Sequence, residues 1–187
     1  MRVMLTSCGL ETEGIKNKLL DWISKDPGEA RAVFIPTAAN SPDAISVLPK
    51  CLDDLLKCGI NKENITVYDL HMPLSAEELN GYDIVYICGG SPEYLLKRVN
   101  EAGFDVSLKS FIENNGIVVG VSAGSIIFAG DMPDSLGLLR CGLDVHCGKD
   151  DCEDCGAVDM SKDRIRLGNE QALIFECENA ENAYIID

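Results

Sequence analysis

Residues 116–129 read GIVVGVSAGSIIFA, and this stretch decides the fold class. Residues 117–121 form a continuous apolar run of the kind that a parallel sheet buries on both faces. A turn of small residues around Ser122 follows, and the chain then continues as a short apolar helix. A buried strand that passes through a tight turn directly into a helix is typical of an α/β protein.

Strand and helix patterns alternate on either side of this stretch. Apolar runs predict further buried strands, and helical spacing predicts helices between them, over residues 11–24, 44–58, 92–100 and 106–114. The predicted strands are 3–6, 32–36, 64–70 and 83–88. This order predicts one domain, residues 1–187, built as a three-layer α/β sandwich with a mainly parallel sheet and helices on both faces. Short runs at 164–167, 172–176 and 183–186 predict antiparallel strands at a sheet edge near the C-terminus.

Composition and charge exclude several classes of function. The chain has 187 residues, 46% hydrophobic and 25% charged, which is ordinary for a globular protein. No apolar run approaches the ~20 residues that span a bilayer, and MRVMLTSCGL predicts a first strand rather than a signal peptide. We therefore expect a cytoplasmic protein. The net charge of −15 repels phosphate backbones and anionic lipid, so we expect no nucleic-acid or membrane partner.

The turn after the fifth predicted strand has the spacing of a nucleophile elbow. Residues 120–124, GVSAG, match G-x-S-x-G in the required strand–turn–helix context. Such a turn projects the hydroxyl of Ser122 from the sheet edge, and the N–H of Ala123 is the natural oxyanion donor. Gly89 and Gly90 close the preceding strand at the same sheet edge, where a second oxyanion donor is expected. An ordinary strand-to-helix turn also uses glycine, so the pair gains weight from the elbow beside it.

A serine nucleophile needs a base, and the chain has two histidines. His71 follows the third predicted strand, where a hydrogen-bonded loop histidine is the commoner reading. His146 follows Ser122 by 24 residues and is the better candidate base. The carboxylate that would orient it stays open on these grounds among Asp131, Asp134, Asp144 and Glu170.

Together these segments resemble the peptidase E family of serine dipeptidases. The resemblance runs from residue 1 to about 146 and rests on three segments, TSCGL (6–10), GGSPEYL (89–95) and GVSAG (120–124). It implies a fold like that of class I glutamine amidotransferases, with Ser122 as nucleophile, His146 as base and Asp131 as triad acid. It also implies that Gly89, Gly90 and Ala123 hold the oxyanion and that dipeptides with N-terminal aspartate are cleaved. The sequence departs from the family pattern around His146, whose context is DVHC, and at Ser91, which replaces a loop asparagine.

Nine cysteines without an export signal indicate free thiols in a reducing compartment. Five of them lie in apolar or strand-like contexts, where they are expected to be small core residues: Cys8, Cys51, Cys58, Cys88 and Cys177. The other four surround His146 in one predicted loop: Cys141, Cys147, Cys152 and Cys155. Four close cysteines could hold a zinc ion, but only one pair has C-x-x-C spacing and acidic residues crowd the loop. We therefore predict no metal and no cofactor.

These observations predict a serine peptidase that hydrolyses short peptides, with a small peptide as its partner and a homodimer as a candidate assembly. Arg98 and Arg140 are candidate cations for an acidic substrate. Two alternatives stay open: a non-catalytic descendant that binds a metal or ligand through residues 141–155, and an esterase or amidase on the same scaffold.

Overall fold

The computed structural model describes residues 1–176 and 183–187, and their core is an eight-stranded sheet. A separate pair of strands lies beside it. The strands in chain order are β1 (Arg2–Thr6), β2 (Ala32–Ile35), β3 (Ile65–Val67), β4 (Ile84–Ile87), β5 (Ile117–Val121), β6 (Gly142–Cys147), β7 (Gly156–Ala157), β8 (Arg164–Gly168), β9 (Ala172–Phe175) and β10 (Ala183–Ile186).

Seven α-helices connect or follow these strands in the described part of the chain. They are α1 (Glu13–Trp22), α2 (Pro42–Ser46), α3 (Leu48–Lys57), α4 (Ala76–Leu79), α5 (Pro92–Glu101), α6 (Phe104–Glu113) and α7 (Ala123–Ile126). Side-chain oxygens of Thr12, Ser41, Ser75 and Ser91 accept backbone N–H groups at the starts of α1, α2, α4 and α5. These caps satisfy backbone donors that a helix start leaves free. No described helix is both long and apolar enough to cross a membrane.

The large sheet has a parallel half and an antiparallel half. Its order is β3-β2-β4-β5-β1-β9-β10-β7; the first five strands are parallel, whereas β9, β10 and β7 join by antiparallel pairing. The carboxyl ends of β2, β4, β5 and β1 therefore meet at one edge. That is the edge where open α/β sheets place their functional residues.

Alternating residues of the central strands pack into two separate hydrophobic cores, one on each face of the sheet. Val85 and Ile87 of β4 pack toward α5, α6 and α7, while Ile84 and Tyr86 pack toward α1 and α3. Because successive side chains of a strand point to opposite faces, continuous apolar strands require a helical layer on each face. The predicted α/β sandwich with helices on both faces and antiparallel strands near the C-terminus is confirmed.

Three of the predicted elements take a different form in the structure, and α4 and β7 have no predicted counterpart. The helix predicted over 44–58 is broken at Val47, because Pro49 in the first turn of α3 cannot continue the preceding helix. The predicted loop around His146 contains strand β6. The run at 164–167 does form a strand, β8, but it pairs in parallel with β6 outside the large sheet.

Candidate active site

Ser122 lies in a strained turn between β5 and α7. Its backbone angles are φ 50° and ψ −110°, which a residue with a side chain adopts only when its surroundings impose them. The Ser122 N–H donates to the carbonyl of Thr6 at 3.0 Å, and the Ser125 hydroxyl donates to the same carbonyl at 2.8 Å. Two bonds to the end of β1 thus hold the turn, and Ser125 has a structural position there.

Close backbone approach explains two of the glycines around Ser122. A Cβ atom on Gly124 would lie 2.2 Å from the carbonyl oxygen of Ile87, and one on Gly90 would lie 1.9 Å from that of Ala38. Gly90 also has φ +144°, which disfavours any other residue. A Cβ atom on Gly89 would be 3.1 Å from the Cβ of Ser122, so the predicted Gly89–Gly90 turn does lie beside the elbow. Ala123 is the buried first residue of α7.

His146 reaches Ser122 from the small sheet. Its Nε2 is 2.9 Å from Oγ of Ser122. The register between β6 and β8 shifts between Asp144 and Cys147, and His146 itself has φ +59°. A bulge of this kind redirects a side chain out of the regular ladder. The Ser7 hydroxyl accepts the His146 backbone N–H at 2.7 Å and holds the bulge in place.

The other histidine has a different environment. His71 Nε2 pairs with the carboxylate of Asp69 at 2.6 Å, and its Nδ1 lies 3.3 Å from the guanidinium of Arg98. Asp69 follows β3, and Arg98 lies on α5. The structure therefore joins His146, and not His71, to the elbow.

The group nearest to the far nitrogen of His146 is an amide, and the Cys8 thiol and the Ser7 hydroxyl lie slightly farther away, at 3.4 Å and 3.5 Å. Nδ1 of His146 lies 3.1 Å from Oδ1 of Asn169, the residue after β8. Asp131 does not take this position: its carboxylate bonds the guanidinium of Arg164 at 2.6 Å, because β8 places Arg164 between Asp131 and Asp144. Glu170, the alternative acid, is an exposed neighbour of Asn169. The structure thus corrects the expected Asp131–His146 contact to Asn169–His146.

The Ser122–His146–Asn169 arrangement favours one protonation pattern. An amide oxygen can only accept a hydrogen bond, so Nδ1 of His146 donates its N–H to Asn169, and Nε2 keeps a free lone pair toward the Ser122 hydroxyl. A histidine in this tautomer can remove the serine proton. All three side chains are at least partly exposed to solvent, so a substrate can reach them.

The loop that follows β1, residues 6–10, links the turn at Ser122 to helix α3. Asp54 of α3 accepts the Leu10 backbone N–H at 3.0 Å and the Tyr86 hydroxyl at 2.6 Å. Burial raises the pKa of the Asp54 carboxyl, and the hydrogen bonds from Tyr86 and Leu10 only partly offset that effect. Residues 6–10 are thereby tied both to the elbow, through Thr6, and to α3.

Arg98 and Arg140, the two candidate cations for an acidic substrate, differ in whether their guanidinium groups are free to bind it. The Arg98 guanidinium donates to the Leu70 carbonyl at 2.6 Å and to Glu101 at 2.6 Å, so it is already engaged. Arg140 is exposed. A cavity of about 500 Å³ opens next to Asn169 and includes Lys149 and Glu170 in its wall.

The cysteines around His146 are spread over different environments. Cys141 is buried, Cys155 is exposed, and Cys147 and Cys152 line the cavity beside Asn169. Within residues 1–176 and 183–187, no three His, Cys, Asp or Glu side chains are grouped as metal ligands.

The five cysteines predicted as core residues have mixed outcomes. Cys51, Cys58 and Cys88 are buried, as expected, and burial raises the pKa of the Cys58 thiol to about 11. Cys8 is only half-buried and lies beside His146, which the prediction as a core residue missed. Cys177 lies outside the described residues.

Comparison with known proteins identifies the class of enzyme that this fold and site define. The sequence matches peptidase family S51 over residues 3–135, most of the chain, and the protein belongs to that family. Membership makes it a serine peptidase, as predicted. The matched region includes Ser122, Gly89 and Gly90 and ends before His146 and Asn169. No curated protein sequence matches the chain significantly.

Solved structures agree on the fold. A putative peptidase E protein from Listeria monocytogenes EGD-e superposes with a TM-score of 0.72 at 17% identity, over 99% of this chain and 96% of that one. A peptidase from an acI-B1 Actinobacterium gives a TM-score of 0.67 at 14% identity, over 99% and 86%. At these identities the likeness establishes the fold, which is that of the peptidase E proteins predicted from the sequence.

Proposed function

We propose that this serine peptidase cleaves dipeptides and other short peptides through Ser122, His146 and Asn169. The observation that carries the proposal is the 2.9 Å contact between Oγ of Ser122 and Nε2 of His146, at a strained elbow. Nucleophile and base within hydrogen-bond reach, with the base oriented by a third group, are the geometric signature of covalent catalysis by serine.

The reaction proceeds in two stages. His146 takes the Ser122 proton as Oγ attacks the scissile carbonyl, and it returns that proton to the departing amine. Water then attacks the acyl-enzyme with His146 again as base. The Ala123 N–H and the Gly89–Gly90 turn are proposed as the oxyanion donors, since both adjoin Ser122.

The substrate specificity is proposed from the resemblance to peptidase E: a dipeptide with N-terminal aspartate. Arg98 is bound to Leu70 and Glu101, which leaves Arg140 as the better candidate of the two cations named from the sequence. A small, solvent-open site suits a short peptide.

The test is labelling with a fluorophosphonate probe, which reacts with activated serines. We expect the wild type to be labelled at Ser122, and Ser122→Ala and His146→Ala to lose the label. Asn169→Ala is expected to slow labelling by about 10-fold to 100-fold, the range seen when a metal-bound histidine loses the partner that orients it. Asp131→Asn is the matched control and should label at the wild-type rate, because Asp131 bonds Arg164.

Two outcomes would contradict the proposal. An unlabelled wild type would remove Ser122 as an activated nucleophile. Labelling that is lost in Asp131→Asn and kept in Asn169→Ala would restore the aspartate as third member. A panel of dipeptides, longer peptides, esters and amides then defines the substrate, and cleavage of esters alone would favour the esterase alternative.

A further inference from the structure

An asparagine beside a catalytic histidine can act as a hydrogen-bond acceptor or as a donor, whereas a carboxylate can only accept. Its amide presents an oxygen acceptor on one side and an NH₂ donor on the other. If the NH₂ group of Asn169 faced Nδ1 of His146, the proton of the imidazole would move to Nε2, and Ser122 would lose its base. Catalysis through Asn169 therefore requires something that holds the amide oxygen toward His146.

Cys8 contacts both partners of this hydrogen bond. Its Sγ lies 3.3 Å from Oδ1 of Asn169 and 3.4 Å from Nδ1 of His146. The three groups form a closed triangle in which the thiol and Nδ1–H can both donate to the same amide oxygen. These are ordinary separations for a hydrogen bond that involves sulfur.

The loop that carries Cys8 is itself fixed. The residue before it, Ser7, is buried and accepts the His146 backbone N–H. The residue after it, Gly9, donates its N–H to the Thr6 hydroxyl at 2.9 Å. Cys8 therefore approaches Asn169 from a rigid support, while Asn169 is exposed.

The thiol also keeps the proton that it needs as a donor. Partial burial raises the pKa of Cys8, and the nearby Glu11 carboxylate acts in the same direction, against smaller opposing effects of Lys50 and of a hydrogen bond with Ser7. A thiol that remains protonated at neutral pH donates to an oxygen, whereas a thiolate would attract the NH₂ end of the amide.

We propose that Cys8 is a positioning residue, whose S–H group holds the amide oxygen of Asn169 toward Nδ1 of His146. Cys8 thereby sets the imidazole tautomer that can accept the Ser122 proton. The inference rests on the proposed function for its catalytic consequence, but the tautomer can be measured without any substrate.

The test combines ¹⁵N NMR of the imidazole nitrogens with kinetics. The chain has only two histidines, and His71→Gln assigns the His146 signals. The wild type and Cys8→Ser, which keeps a donor, should hold His146 with its proton on Nδ1. Cys8→Ala and Cys8→Val, which remove the donor, should shift protons to Nε2 and lower kcat by about 10-fold, with KM within about twofold.

Cys155→Ala is the matched control, since Cys155 is exposed and contacts Gln171. It should leave both tautomer and kcat at the wild-type values. Because Cys8→Val fills the space of the thiol with an apolar side chain and leaves no cavity, it provides the result if Cys8→Ala fails to fold.

The inference is overturned if the variants without a donor keep the wild-type tautomer and kcat, or if Cys8→Ser is as impaired as Cys8→Ala. If the probe does not label the wild type but Cys8→Ala and Cys8→Val show the expected tautomer shift, the proposed catalysis is overturned and the positioning role stays intact. The two failures are thus distinguishable.

Discussion

Asn169 occupies the position at which many serine peptidases carry a carboxylate, and this single atom exchange has a measurable consequence. In the proposed mechanism, a neutral amide orients His146 but adds no negative charge beside the imidazolium that would form. Asn169→Asp supplies that charge and should move the acid limb of the pH dependence of kcat/KM to higher pH. Asn169→Ala should lower kcat without that shift. An unchanged limb in Asn169→Asp would show that residue 169 is not electrostatically coupled to the base.

The site residues that could be predicted are those whose signal is local. The elbow around Ser122 combines a motif, a strand and a helix within a few positions, and its Gly89–Gly90 neighbour follows from the parallel order of β4 and β5. Asn169 lies 23 residues beyond His146 and carries no charge. A search among carboxylates passes over it, and the remaining signal is a polar side chain directly after a strand-like run. Asp131 lies just after the elbow helix in the sequence, which favours it as the triad acid. Its partner Arg164 lies on β8, and sequence periodicity does not reveal that β8 pairs with β6.

Among the elements, the loop between β4 and α5 depends on one tight backbone contact. Gly90 faces the Ala38 carbonyl with no room for a Cβ atom, whereas Gly137, also at positive φ, has open space around it. Gly90→Ala should therefore lower the free energy of unfolding by about 1–3 kcal/mol more than Gly137→Ala does. It should also slow probe labelling, because the same turn adjoins Ser122. Urea unfolding followed by the fluorescence of Trp22 measures the first effect, and equal losses in the two variants would contradict the steric argument.

Helix α3 brings a buried carboxyl under the loop of residues 6–10. Because the pKa of Asp54 is raised in the folded protein, the folded state binds more protons than the unfolded state above the usual value of 3.8. Stability should therefore fall as pH rises from about 4 through the raised pKa, and level off beyond it. Asp54→Asn should abolish this part of the pH dependence. Thermal unfolding of both proteins across that pH range tests it, and parallel curves would mean that Asp54 does not contribute.

Element prediction succeeded where a segment carries its own periodicity and failed where packing decides. The central strands are apolar on both faces and were found from that pattern. Strand β6 reads GLDVHC, whose alternation of Leu143 and Val145 with polar residues is a strand signal, but the cysteines and acids around it favoured a loop. The bulge at His146 depends on pairing with β8, a contact between segments about 20 residues apart.

Across the whole molecule, the net charge of −15 bears on how substrates arrive. An acidic surface repels an anionic peptide over a distance that falls from about 30 Å at 0.01 M salt to about 10 Å at 0.1 M. For a dipeptide with N-terminal aspartate, kcat/KM should therefore rise with added salt in this range, while a neutral dipeptide should show little change. A fall with salt would indicate that a local cation, such as Arg140, dominates the approach.

The division of the site between two sheets bears on how such an enzyme can change over generations. Ser122, the proposed nucleophile, lies at the end of a strand of the large sheet, in a turn held by glycines and the core, and the family match ends shortly after it. His146 and Asn169, the proposed base and its amide partner, are exposed residues that lie on β6 and directly after β8. A substitution at either of them leaves the folded core intact. A single surface substitution is therefore enough to give a stable but inactive relative. Such a relative keeps its fold, so a new binding role can evolve from it without loss of stability.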